Sequence, residues 1–365
     1  MRSIISKYII KNFLLCFLGI FICFFLVVAI LEFMEIVRKY VPAGITVSTP
    51  IMIKLITYRS FVTVSSFFSF IVLIGGIVFF SIMHNKLELT VMKAVGVSIK
   101  NILMALFGGV AILALLYITI FDAISTHAIK TTKTLHEELR QQVHPIDKSL
   151  TLTNSGVWFK DISKNNSYII SVRSFDKQKS YAYNIRIFEF NMNNILQRSI
   201  HSHNARISQG KWELANCRIF DINGKEEFVS KMTLPINLSF SKITKMVMIP
   251  ESVSFWSIGK YSNMLSKVGL SALKYKVHWY STISSIAQMF SFIVLVIAFC
   301  INYNSRDTRN YTLKIVALLM FIFPVYFFSN ILIALGEAGV MPLWIASFII
   351  PVIISLIGVF VLEKQ

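Results

Sequence analysis

The sequence predicts a helical membrane protein carrying an inserted all-β domain. Three observations lead there: six long uncharged apolar runs, one polar block between the third and the fourth, and a change of hydrophobic period inside that block. The runs are Phe13–Leu31, Ser60–Met83, Asn101–Phe121, Trp279–Tyr303, Ile315–Leu335 and Ala338–Leu362. Each is long enough to cross a hydrocarbon core, which takes roughly 20 helical residues. A helix of a soluble protein rarely needs apolar residues on every face for that length. Composition agrees, with 55% hydrophobic residues and 31 Phe in 365.

Taken in order, the first run ends at Glu32, Glu35, Arg38 and Lys39. Glu35 stands at i,i+3 and i,i+4 spacing from Arg38 and Lys39, which predicts local ion pairing. Pro42, Gly44 and Pro50 mark the following turn. Lys54 and Arg59 lie at the entrance to the second run, placed to snorkel toward head groups. A short polar loop, Lys86–Lys100, joins runs two and three. The polar block opens with a helical connector, about residues 122–144, ended by Pro145. Segments such as "SYIISVRSF", "YAYNIRIFEF" and "KWELANCRIFD" then alternate apolar with polar residues. Turn signals at Lys164-Asn165-Asn166, Gln209-Gly210-Lys211 and Asn223-Gly224-Lys225 separate them. This spacing reads as a sandwich or jelly roll. After Pro250 the chain turns helical again on its way to the fourth run.

Lys/Arg bias in short loops orients the bundle. Arg2, Lys7 and Lys11, then Lys86, Lys93 and Lys100, then Arg306, Arg309 and Lys314 all fall on one side, read as the cytoplasm. The turn at Glu337 has no cation, whereas its companion carries Arg38, Lys39 and Lys54, against the rule. Both termini are expected in the cytoplasm and the block outside it. The first run exceeds the apolar core of a cleavable signal peptide, and no small-x-small site follows it. The expected domains are residues 1–122 with a cytoplasmic helix at about 84–98, residues 123–276 as a jelly-roll-like β domain with helical connectors, and residues 277–365.

Charge and motifs exclude several functions. The net charge is +18; residues 122–276 hold 22 Lys/Arg against 12 Asp/Glu, so the block carries +10 of it. Such a surface suits an anionic partner, although membrane proteins also use basic residues to fix topology. Cys217 is the one cysteine of the block, beside Cys16, Cys23 and Cys300 in apolar runs, so no disulfide forms within it and no metal-ligand spacing exists. His201 and His203 share a strand face but lack a third ligand. No nucleotide-binding G-x-x-x-x-G-K-[ST], no H-E-x-x-H and no G-x-S-x-G occurs. Glu32, Glu35, Asp122 and Glu337 all sit at run ends, so no proton relay threads the bilayer. The chain reads as a non-enzyme that binds neither metal nor cofactor.

The loop "KLELTVMKAVGVSIK" holds what remains. Glu88, Leu89, Met92 and Val95 recur at helical spacing, Glu88 and Met92 face one way, and Gly96 ends the element. A short amphipathic helix at the membrane surface is shaped either for a groove on a cytoplasmic partner or for lipid. The stretch "LELTVMKAVGVS" resembles the signature of the LptF/LptG (YjgP/YjgQ) permease family, S-E-[LI]-x-V-M-x-A-x-G, between the second and third membrane helices. Glu88, Leu89, Val91, Met92, Ala94 and Gly96 match; Leu87 stands where Ser is usual. The 3 + 3 arrangement is also the family's, and "GVWFK" at Gly156–Lys160 and "KWEL" at Lys211–Leu214 sit where its β domain has Trp-containing strands. "LEFMEIVRKY" is closer to the LptG branch.

The resemblance implies one membrane half of an ABC transporter, paired with a second permease of the same family. A cytoplasmic LptB-like ATPase would bind the ATP and dock on the helix that carries Glu88, Leu89, Val91, Met92, Ala94 and Gly96. The pair would extract lipopolysaccharide from the inner membrane and hand it to an LptC/LptA-like periplasmic bridge, with no role for nucleic acid. Glu32 occupies a place where relatives often carry a base for the glycolipid head, and Ser65-Ser66 replaces a Pro common in the second helix. The cargo-phosphate contact is therefore expected at Arg38, Lys39, Lys54 or Arg59. Two other readings compete: an FtsX/MacB-like mechanotransmitting permease, with four helices and its insert after the first, and a non-transporting envelope-assembly scaffold.

Overall fold

A computed structural model describes residues 2–42, 47–143, 150–151, 157–162, 167–176, 181–191, 195–208, 211–221, 225–236, 250–267, 272–301 and 308–364. The chain forms two compact units: Met1–His136, Ser254–Ile258 and Leu273–Gln365 make one, Glu137–Val253 and Gly259–Ala272 the other. The membrane unit thus runs to His136, past the expected boundary at 122. The turns expected at 164–166, 209–211 and 223–225 lie largely outside the described residues, as do Gly44, Pro145 and Arg306.

The helices are α1 (Arg2–Tyr40), α2 (Thr49–Ser66), α3 (Phe68–Asn85), α4 (Glu88–Ala94), α5 (Ile99–Leu116), α6 (Asp122–Val143), α7 (Phe255–Lys267), α8 (Leu273–Cys300), α9 (Thr308–Met320), α10 (Ile322–Glu337) and α11 (Leu343–Glu363). A π-helical turn, Tyr117–Phe121, joins α5 to α6. Among the described residues, six stretches are long and apolar enough to cross a membrane: Ile4–Tyr40, Phe68–Asn85, Ile99–His136, Leu273–Cys300, Ile315–Glu337 and Leu343–Glu363.

The second and fifth runs are each broken, and the sequence supplies the cause. At Ser65-Ser66, the Ser66 hydroxyl donates to the Val62 carbonyl at 3.2 Å, and the Ser65 hydroxyl accepts from Ser125 at 2.9 Å. Serines that bond back onto the preceding turn bend helices. Phe67 then leaves the helical region (φ −98°, ψ 10°) between α2 and α3, so the chain breaks directly after the serine pair. Between α9 and α10 the interruption falls at Phe321. Pro324 lies four residues beyond Met320, whose carbonyl its ring would strike in a continuous helix. The π turn sits beside the α2–α3 break: the Phe121 ring packs 4.8 Å from Phe68, 5.2 Å from Phe61 and 5.5 Å from Phe21.

Packing of α11 on α8 answers a specific defect. Pro351 inside α11 takes away the N–H that would bond the Ser347 carbonyl. The Ser284 hydroxyl of α8 donates to that carbonyl at 2.5 Å, and Ser291 donates to the Pro351 carbonyl at 2.8 Å. In a membrane no water does this work, so a neighbouring helix must. Gly358 permits the approach: a Cβ there would lie 2.9 Å from Val294 Cγ1 and 3.1 Å from the Leu295 nitrogen. Small residues at helix contacts are how membrane bundles gain close van der Waals packing.

The second unit holds β1 (Leu150–Thr151), β2 (Val157–Ile162), β3 (Ser167–Asp176), β4 (Tyr181–Phe190), β5 (Leu196–Ser208), β6 (Lys211–Asp221) and β7 (Glu226–Leu234). They form one antiparallel sheet in the order β1-β3-β4-β5-β6-β7, with β2 beside β1 on the same edge of β3. Among the described residues this all-β insert is a meander of consecutive strands. Its period-2 alternation stacks Ile170, Ile187, Ile200 and Ile219 in register on the buried face. Each such burial stabilises by about 1.5–3 kcal/mol. Glu189 is buried on that face and pairs with its register partner Arg198 at 2.5 Å. A one-residue slip would break that pair and turn the whole face to water.

Candidate functional site

α4 is the element that the signature marks, and its ends are built locally. Leu87 takes the N-cap position in the left-handed region (φ 57°) and offers no capping hydrogen bond. A branched side chain in that conformation costs about 1–2 kcal/mol, so the rest of the loop must hold it there. At the other end Gly96 is left-handed (φ 81°). Its N–H bonds the Lys93 carbonyl, and the Val97 N–H bonds the Met92 carbonyl, both at 3.0 Å. This is a Schellman motif, for which Gly is the suited residue.

Two contacts tie α4 to the bundle, and a third lies just ahead of it. The Tyr8 hydroxyl of α1 donates to both oxygens of the Glu88 carboxylate, at 2.9 and 3.0 Å. Lys93 Nζ donates to the Ile301 carbonyl at 2.8 Å. Just ahead of α4, His84 Nε2 donates to the Cys300 carbonyl at 2.5 Å. The last two bonds satisfy carbonyls at the C-terminal end of α8, which have no intrahelical partner, and Lys93 places a cation at the negative pole of that helix. Burial lowers the Lys93 pKa from its ordinary value.

The signature residues divide between two sides. Leu89 is buried, and Met92 is half-buried against the core of the membrane unit. Glu88 and Met92 do share a side, and it is the side turned to the bundle. Leu87, Val91 and Val95 point the other way and are 55%, 60% and 62% exposed. They recur at i, i+4 and i+8, an apolar stripe along one flank, with Ala94 and Gly96 also exposed beside it. Val91 was in the signature. Leu87 and Val95 flank it at four-residue spacing, and the structure places Val95 opposite Glu88, Leu89 and Met92, with which its spacing groups it in the sequence.

Of the four candidate phosphate contacts, Arg59 is already engaged. Its Nε lies 2.6 Å from Glu32 Oε2 and its Nη2 2.7 Å from Glu35 Oε1. The first contact is an ion pair by distance without an aligned hydrogen bond, since Oε2 receives no directed donor. Thr63 donates to the other Glu32 oxygen at 3.2 Å. The local pairing of Glu35 with Arg38 or Lys39 is thus corrected: its partner comes from α2, where the guanidinium reaches two carboxylates one helical turn apart. Arg38, Lys39 and Lys54 are exposed, and Lys39 Nζ lies 5.7 Å over the Tyr40 ring. Tyr40 in turn hydrogen-bonds His136 of α6. No group of three His, Cys, Asp or Glu placed to hold a metal occurs among the described residues.

No curated protein matches the chain. Residues 7–364 match the family described as lipopolysaccharide export system permease LptF/LptG, both branches under one description. A match of that extent takes in the six membrane stretches, the inserted sheet and the α4 loop together, so the chain belongs to the LptF/LptG family of lipopolysaccharide export permeases.

Proposed function

We propose that this chain is one of two permeases in an ABC-type exporter, with both termini and α4 in the cytoplasm and the sheet in the periplasm. An LptB-like ATPase docks on α4, lipopolysaccharide leaves the inner membrane between the two permeases, and an LptC/LptA-like bridge receives it. The first helix favours the LptG branch. The observation that carries the reading is the double face of α4: an exposed apolar flank for a partner and an inner flank bonded to α1 and α8. A force applied to Leu87, Val91 and Val95 meets two long membrane helices through Glu88 and Lys93.

Energetics agree with the need for such a device. Withdrawing acyl chains from a bilayer costs about 0.8 kcal/mol per CH₂, so a lipid with tens of methylenes does not leave unaided. An apolar cavity between permeases would keep the tails from water. The membrane stretches of α1 and of α9–α10 are only 11% and 12% buried, against 72% for α3. Those uncovered flanks suit a second permease around shared lipid. Exposed cations at Arg38, Lys39 and Lys54 are placed to hold phosphates by charge-assisted bonds. Six membrane stretches divided three and three do not fit the FtsX/MacB type.

Purification of the tagged chain from its own membranes tests the reading. A small nucleotide-binding subunit and a second six-helix permease are expected to accompany it, with ATP-driven glycolipid release after reconstitution. A chain that purifies with neither and releases glycolipid without ATP overturns it.

A further inference from the structure

The sheet has a second, polar face that the transport reading does not use. Arg186, His201 and Arg218 stand side by side on β4, β5 and β6, paired in register, with Ser171 and Phe228 extending the row on β3 and β7. Next to this row the sheet is bent. Asn184 and Asn216 both take φ 51° inside their strands, on either side of His203. Buried residues there fall three apart instead of two: Ala182 and Ile185, Ser202 and Ala205, Leu214 and Cys217. The register is the same on both sides of this level, so Asn184, His203 and Asn216 stand opposite one another outside the ladder pairs, and the inside–outside alternation skips one residue on all three strands. Asparagine is the side chain other than Gly that visits this conformation most readily, and outliers of this kind gather at binding sites.

The bend leaves an open concavity of about 830 Å³, lined among others by Arg173, Arg186, His201, His203, Arg218 and Phe228. Its charge is little compensated among the described residues. Arg218 has Glu226 at 4.0 Å, with both side chains more than half exposed, a contact worth little in water. Aromatic rings are interleaved with the cations. Phe228 is 64% exposed, the exposed Trp158 stacks on Phe188 at 6.1 Å, and Phe220 meets the His201 ring edge-on at 5.3 Å.

We propose that this concave cationic–aromatic face binds a phosphorylated saccharide. Arg186 and Arg218 offer guanidinium forks that match a phosphate. Phe228 offers a bare ring on which the apolar face of a sugar can lie. Asn184, Asn216 and His203 supply amide and imidazole partners for hydroxyls. A single-stranded nucleic acid asks for successive open rings, whereas Trp158 and Phe188 already cover one another. The site deepens the transport reading, on which it rests for the identity of its cargo, by giving the sheet a grip on the polar part of a glycolipid.

The test uses the full chain in zwitterionic nanodiscs and calorimetric titration with four probes: a bisphosphorylated disaccharide, its dephosphorylated twin, inorganic phosphate and an oligoribonucleotide. The disaccharide is expected to bind at least tenfold more tightly than the other three. Arg186→Gln with Arg218→Gln should weaken it tenfold or more, while Arg186→Lys with Arg218→Lys, safer for the fold, keeps the charge and loses only part. Phe228→Ser should weaken the disaccharide and leave inorganic phosphate unchanged. Equal binding of the neutral twin, tighter binding of the oligoribonucleotide, no binding, or indifference to all three variants overturns the proposal. If the unaltered complex shows no ATP-driven release while this saccharide binding persists, the transport reading fails and this one stands.

Discussion

The Tyr8 hydroxyl and the Glu88 carboxylate, 80 residues apart in sequence, join the start of α1 to the first turn of α4 through bonds of 2.9 and 3.0 Å. Glu88 therefore faces inward, linking α4 to the bundle. Removing the hydroxyl alone in Tyr8→Phe takes away about 1 kcal/mol of hydrogen bonding. Cargo-stimulated ATP hydrolysis of the whole complex should fall several-fold with little change in thermal unfolding. Glu88→Lys should lower it further, since it also brings a cation toward Lys93. Unchanged stimulation in both variants would remove this pair from the coupling route.

On the outer flank, Val91→Glu puts a charge on the exposed apolar stripe proposed to meet the ATPase. It should reduce recovery of the ATPase subunit at least tenfold, the equivalent of about 1.4 kcal/mol, while the permease stays folded. Met92→Ala should act differently, lowering the unfolding temperature through lost core packing and leaving recovery of the subunit nearly intact. A reversed pattern would exchange the two flanks.

Arg59, Glu32 and Glu35 form a charge cluster with Glu32 at 9% exposure. Arg59→Gln leaves that carboxylate unpaired and should cost about 3 kcal/mol. Glu32→Gln added to it should restore a good part. A double-mutant cycle from thermal unfolding in detergent reads the coupling. If the two changes simply add, the pair is not a unit and Arg59 is available to cargo. Charge reversal at Arg38, Lys39 and Lys54 should instead weaken photocrosslinking to anionic glycolipid without destabilising the chain.

His201 gives the sheet a pH dependence. Its pKa is lowered from the ordinary 6.5 by burial first and by the charges of Arg186 and Arg218 after it. The unfolded chain then binds the proton more readily than the folded one, so stability is fully present above about pH 6.5 and declines as pH falls toward the lowered value. His201→Gln should flatten that decline in thermal melts between pH 7 and 5. An equally steep decline in the variant would assign it to other groups.

Much of this architecture was legible in the sequence because its signals are local. Twenty-residue apolar runs, alternating strands and the Gly96 stop each declare themselves within one segment. The breaks at Phe67 and Phe321 were less plain, since hydropathy does not register Ser65-Ser66 or Pro324 as interruptions. Partnerships across helices were hidden. Arg59 could have faced a phosphate as readily as Glu32 and Glu35, and only the packing of α1 on α2 decides. For α4 the helical period lies in the sequence, but which side faces the bundle does not, because Tyr8, which holds Glu88 inward, lies on another helix. The cationic row of Arg186, His201 and Arg218 needs the strand register, and its curvature needs the backbone of Asn184 and Asn216.

If α4 meets a cytoplasmic ATPase while the sheet lies on the opposite side of the membrane, sided labelling reads it directly. In a background freed of its own cysteines, Val91→Cys and Phe228→Cys are each exposed to a membrane-impermeant thiol reagent in intact spheroplasts. Phe228→Cys should label at once, and Val91→Cys only after permeabilisation. Labelling of both positions in intact spheroplasts would place α4 beyond the reach of any nucleotide-driven partner and contradict the account.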